Sequence, residues 1–69
     1  MKLITEDDHV EFENDADLSY QDDGEANVLL HVKGSPVGLI EVFCDMEEDG
    51  REYIALNQNI TYLDTLIKL

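Results

Sequence analysis

Basic residues are scarce: Lys2, Lys33, Arg51 and Lys68 are the only four, and each is isolated in the chain. A nucleic-acid binder needs a basic patch or stripe to neutralise phosphates, with aromatics interleaved for stacking on bases. Direct binding of DNA or RNA is therefore excluded on charge, as is docking on an anionic membrane. Cysteine occurs once, at Cys44, so no internal disulfide is available. A lone thiol fits a reducing compartment. The apolar runs are too short to span a bilayer. The opening Met1–Thr5 stretch reaches Glu6, Asp7 and Asp8 before a signal-peptide apolar region could form. The expected location is the cytoplasm.

Catalytic signatures are also missing. Gly24, Gly34, Gly38 and Gly50 stand apart and build no phosphate-cradling loop. Ser19 and Ser35 lack the strand-turn-helix context of a nucleophile elbow. His9, His31 and Cys44 share no metal-ligand spacing. His31 reads as a partly buried structural residue, and Cys44 as a small core residue. No cofactor is implied, and the expectation is a protein that is not an enzyme.

Acid is what the chain has in excess. Seventeen Asp and Glu residues give a formal net charge of −13, and ten of them fall within residues 1–27. Crowded carboxylates repel one another, which predicts folded-state pKa values raised above the ordinary range. Hydrophobic residues still make up 43% of the chain, enough to argue against disorder. With 69 residues there is material for one domain spanning 1–69. A domain of that size buries only about 60% of its unfolded surface. Small scaffolds often add buried area by oligomerising, so a homodimer is an open alternative.

The apolar pattern is that of strands. Val28–Val32 and Val37–Asp45 are rich in β-branched and apolar types, with Gly34-Ser35 between them as a two-residue turn. That turn sets Val32 against Val37, Leu30 against Leu39 and Leu29 against Ile40. Asp49-Gly50 predicts a second hairpin to Arg51–Asn57, setting Phe43 against Leu56, with Glu48 facing Arg51 as an ion pair. A longer loop through residues 47–50 is the alternative. Residues 60–69 read as a strand entered through a Gln58-Asn59 turn, or else as a short helix capped by Asn59. The expected fold is all-β or β-rich, a small antiparallel meander or partly closed barrel. The helical reading of the last segment would make it α+β.

Between Val10 and Gln21 apolar and polar residues alternate with period two, the mark of a strand. Glu11, Glu13, Asp15 and Asp17 would then stand about 6.6 Å apart on one face. A regular row of carboxylates can imitate a phosphate backbone. The functional expectation is an acidic binding protein that docks a basic protein surface through Glu11, Glu13, Asp15, Asp17, Asp22 and Asp23, with nucleic-acid mimicry or inhibition as its sharpest form. The plainer reading is a solvated face whose charge prevents edge-to-edge aggregation. Asp45, Glu47 and Asp49, with Gly50 following, match the opening of a calcium loop. Leu56 stands where that loop needs a bidentate Glu, so the match is weak and no metal is expected.

Overall fold

Period-two burial is clearest in the strand Asn27–Val32, where Val28, Leu30 and Val32 are buried while Asn27, Leu29 and His31 alternate with them on a half-buried face. The computed structural model describes the backbone of residues 2–4, 9–11 and 15–69, and side chains from residue 16 onward. Nine strands are present among them: β1 (Lys2–Ile4), β2 (His9–Glu11), β3 (Leu18–Asp22), β4 (Asn27–Val32), β5 (Ser35–Glu41), β6 (Phe43–Asp45), β7 (Arg51–Leu56), β8 (Asn59–Tyr62) and β9 (Ile67–Lys68). The domain is β-rich, with no α-helix among the described residues. No helix there is long and apolar enough to cross a membrane.

Three sheets form. β1 pairs with β2, Lys2 standing opposite Glu11. A four-stranded sheet has the order β5-β4-β3-β9, and a three-stranded sheet the order β6-β7-β8. Pairing is antiparallel throughout except for β9, which lies parallel to β3. Neither larger sheet closes into a barrel. Leu18, Val28, Leu30 and Val32 of the first meet Ile54 and Leu56 of the second, and Leu63 completes the buried cluster. Leu30 and Ile54 have no exposed surface; burying one such side chain contributes about 1.5–3 kcal/mol. Val42 links the two sheets, its N–H donating to the Ala26 carbonyl at 2.9 Å.

The hairpins exist, but their registers differ from the sequence expectation. The β4–β5 turn is Lys33-Gly34, not Gly34-Ser35, with φ of 53° and 82°. Both central residues are left-handed, as a tight hairpin twisting with its strands requires. Leu29 therefore faces Leu39, and Val28 faces Ile40. A bulge across from Leu30/His31 leaves Val37 as an extra residue. Without it, Leu39 would face Val28 and every later β5 side chain would point to the opposite side. With it, Val37 and Ile40 pack on the core and Leu39 is left exposed.

The second hairpin takes the longer loop, Met46–Gly50. Phe43 faces Tyr53 rather than Leu56, and Asp45 faces Arg51. Asp45 shapes the loop: its Oδ1 accepts the N–H groups of Glu47 at 2.9 Å and Glu48 at 3.2 Å, and its carbonyl accepts that of Gly50 at 2.8 Å. Such side-chain capture of backbone donors competes with continued pairing. The last turn is Asn57-Gln58, one residue earlier than expected. The strand reading of the C-terminal segment holds: β8 leads through a 3-10 turn (Leu63–Thr65) into β9. Cys44 is exposed, not a core residue, because it shares its face with Glu52, its pairing partner. His31 is half-buried as expected, with both ring nitrogens enclosed.

Candidate functional site

The acidic row anticipated along one N-terminal strand is not formed. Asp15–Asp17 is a 3-10 turn, which breaks the period of two on which the row depends. Glu11 lies in β2 and Asp15 opens the turn; Glu13 falls outside the described residues. Asp17 precedes β3 and Asp22 ends it, so the two are separated by about 16 Å of strand. Asp22 and Asp23 of the expected set adjoin at the end of β3, and tertiary structure adds other acids to them.

That second grouping is built by three strands and a turn. β3 ends at Asp22, and the turn to β4 carries Asp23 and Glu25. Glu41, ending β5, stands in register with Asn27 of β4. β7 brings Glu52 from the other sheet. Asp22, Glu25 and Glu52 line a recess of about 120 Å³ together with Tyr20, Asn27 and Lys68. Asp22 is pinned there: its Oδ1 accepts the Gly24 N–H at 2.8 Å, and its Oδ2 lies 3.5 Å from Lys68 Nζ. The Gly24 hydrogen bond and the Lys68 ammonium hold the Asp22 carboxyl below its ordinary range. Three carboxylates thus face one ammonium. The recess is smaller than the clefts that hold metabolites, and its chemistry suits the tip of a Lys or Arg side chain, which carboxylates bind through charge-assisted hydrogen bonds.

A different constellation occupies the outer face of the three-stranded sheet. The observed register aligns Phe43, Tyr53 and Tyr62 in one row across β6, β7 and β8. Phe43 stacks on Tyr53 with ring centroids 5.5 Å apart, and Tyr53 meets Tyr62 edge-on at 6.0 Å. Arg51 lies over the Tyr62 ring, 3.9 Å from its centroid. Its Nε and Nη2 donate to the two oxygens of Asp64 at 2.8 and 2.7 Å, and Nη1 reaches Glu48 at 3.5 Å. The Tyr62 hydroxyl donates to Asp45 Oδ2 at 2.7 Å. That bond holds the Asp45 carboxyl below its ordinary range and pushes the Tyr62 phenol up to about 12. Arg51 likewise holds Asp64 low, chiefly through its hydrogen bonds. The expected upward shift from crowding is thus reversed at Asp22, Asp45 and Asp64, because each carboxylate accepts strong donors.

Asp45, Glu47 and Asp49 do not assemble a calcium site. Asp45 is committed to Tyr62 and to the loop N–H groups, and among the described residues no three acidic, His or Cys side chains converge to hold a metal ion. The Glu48–Arg51 pair does form, between the loop and the first residue of β7 rather than across strands. Sequence reasoning missed Glu41, Glu52, Asp64 and the aromatic row. The signal for the row was the alternation Phe43/Asp45 against Arg51/Tyr53, legible only once the five-residue loop is known. Comparison with protein families, with curated proteins and with solved structures finds no match to any of them.

Proposed function

We propose that this chain is a non-enzymatic binding protein that docks a basic protein surface through its acidic end. One observation carries the reading: Asp22, Glu25 and Glu52, from β3, the turn after it and β7, surround a recess whose single cation among the described residues is Lys68. Asp23 adjoins Asp22 in the chain, and Glu41 stands in register with Asn27, which lines the recess. A field of one sign speeds association with an oppositely charged partner and rejects others. The 3-10 turn at Asp15–Asp17 interrupts a regular carboxylate row, so docking here does not depend on imitating a phosphate backbone in that form. The expected setting is the cytoplasm, where the exposed Cys44 thiol would stay reduced.

Capture of partners from a cell lysate across a salt series tests the idea. Captured proteins should carry basic patches and be released as salt rises. Reversing Glu25 and Glu52 to Lys should weaken capture about tenfold, equivalent to about 1.4 kcal/mol, while circular dichroism stays unchanged. Capture indifferent to salt and to these reversals would remove the reading.

A homodimer is the second reading, favoured by exposed Leu39 and Ile67 on the outer face of the four-stranded sheet. They are 59% and 69% exposed, and pair with Leu29 and Ser19 respectively. Sedimentation equilibrium separates the two: a folded monomer at all concentrations ends the dimer.

A further inference from the structure

We propose that the aromatic row Phe43–Tyr53–Tyr62 is a docking strip for an arginine-bearing basic segment, whose guanidinium stacks on the Phe43–Tyr53 end. The inference rests on the acidic docking reading and names the partner chemistry that a second face selects.

The strip already holds one guanidinium. Arg51 places its central carbon 3.9 Å from the Tyr62 centroid, and two carboxylates, Asp64 and Glu48, neutralise it. The opposite end repeats the ring chemistry without the cation. Phe43 and Tyr53 stack with 27° between their planes, and Phe43 is 39% exposed at the sheet edge. Among the described residues no cation lies over either ring. Ile60, 58% exposed, pairs with Ala55 one step along the same face, offering apolar surface for an aliphatic stem.

Charge complementarity chooses the occupant. The chain carries −13, and Asp45 follows Phe43 on the same face of β6. A partner reaching the rings crosses a negative field, which attracts cations. Guanidinium is planar, weakly hydrated and stacks on aromatic faces, whereas ammonium is a strongly hydrated point charge. The strip therefore selects arginine over lysine, while the acid-lined recess accepts either.

Two probes test this: an oligo-arginine and an oligo-lysine peptide of equal length, titrated into the full chain by calorimetry and by proton NMR. Oligo-arginine should bind more tightly and move the ring resonances of Phe43 and Tyr53. Phe43→Leu keeps an apolar side chain on the edge strand and removes the ring. It should weaken oligo-arginine binding about two- to fivefold, the range of an exposed cation–π contact, and leave oligo-lysine binding unchanged. Equal affinities in the parent chain would overturn the strip while sparing salt-sensitive acidic docking. So would an arginine preference that survives Phe43→Leu with unchanged circular dichroism. Failure of both peptides to bind would overturn both readings.

Discussion

At Tyr62 one hydroxyl couples the acid and alkaline limbs of stability. Its proton is donated to Asp45, so the phenol is raised from 10.0 to about 12 and the carboxyl is lowered from 3.8. A raised group contributes stability that is complete below its unfolded pKa and is lost as pH climbs through the folded value. For Tyr62 that window runs from pH 10.0 to about 12. A lowered carboxyl works in the other direction: its contribution is present above 3.8 and fades as pH falls through the folded value, as for Asp45, Asp64 and Asp22. Tyr62→Phe should therefore abolish the phenolate step at about pH 12 in an ultraviolet titration and flatten both limbs of a stability-against-pH curve. An unchanged acid limb would mean that Asp45 draws nothing from the hydroxyl.

Turns decide the registers at the scale of elements, and three of them, at Lys33, Asp49 and Asn57-Gln58, put non-glycine residues in left-handed backbone. The β7–β8 turn is Asn57-Gln58, with φ of 45° and 71°. Asn tolerates that region; Gln pays about 1–2 kcal/mol for it. Gln58→Gly relieves the strain and returns about 0.5–1 kcal/mol of backbone entropy to the unfolded chain. The net expectation is a gain of about 0.5–1 kcal/mol, read as a higher urea midpoint with an unchanged slope. A lower midpoint would show that the turn does not require a left-handed residue there. The β5 bulge acts through the same geometry: one extra residue sends Ile40 inward and Leu39 outward.

For the molecule as a whole, charge and core compete. Among the described residues the buried cluster comprises seven hydrophobic residues, a thin core set against a net charge of −13. Self-repulsion of that size destabilises a compact state and is screened by salt. Thermal midpoints should rise as sodium chloride is added at neutral pH, even though the Arg51 and Lys68 ion pairs weaken. A midpoint that stays level or falls would mean that the acids are too dispersed to act as a field.

Much was legible from residue types alone. The β-branched and apolar run Val28–Val32 marked a strand, and Gly34 and Gly50 marked the hairpins. Strand period and turn chemistry are local, so a sequence carries them. Which residues face each other is not local. It followed from a bulge at Val37, a five-residue loop held by Asp45, and a 3-10 turn at Asp15–Asp17. Each shifts partners by one to three places without changing composition. The aromatic row, the Arg51–Asp64 clasp and the acid-lined recess join residues that only those shifts bring together. Tertiary structure decided them, because pairing register is set by the balance of packing across two sheets and not by any single strand.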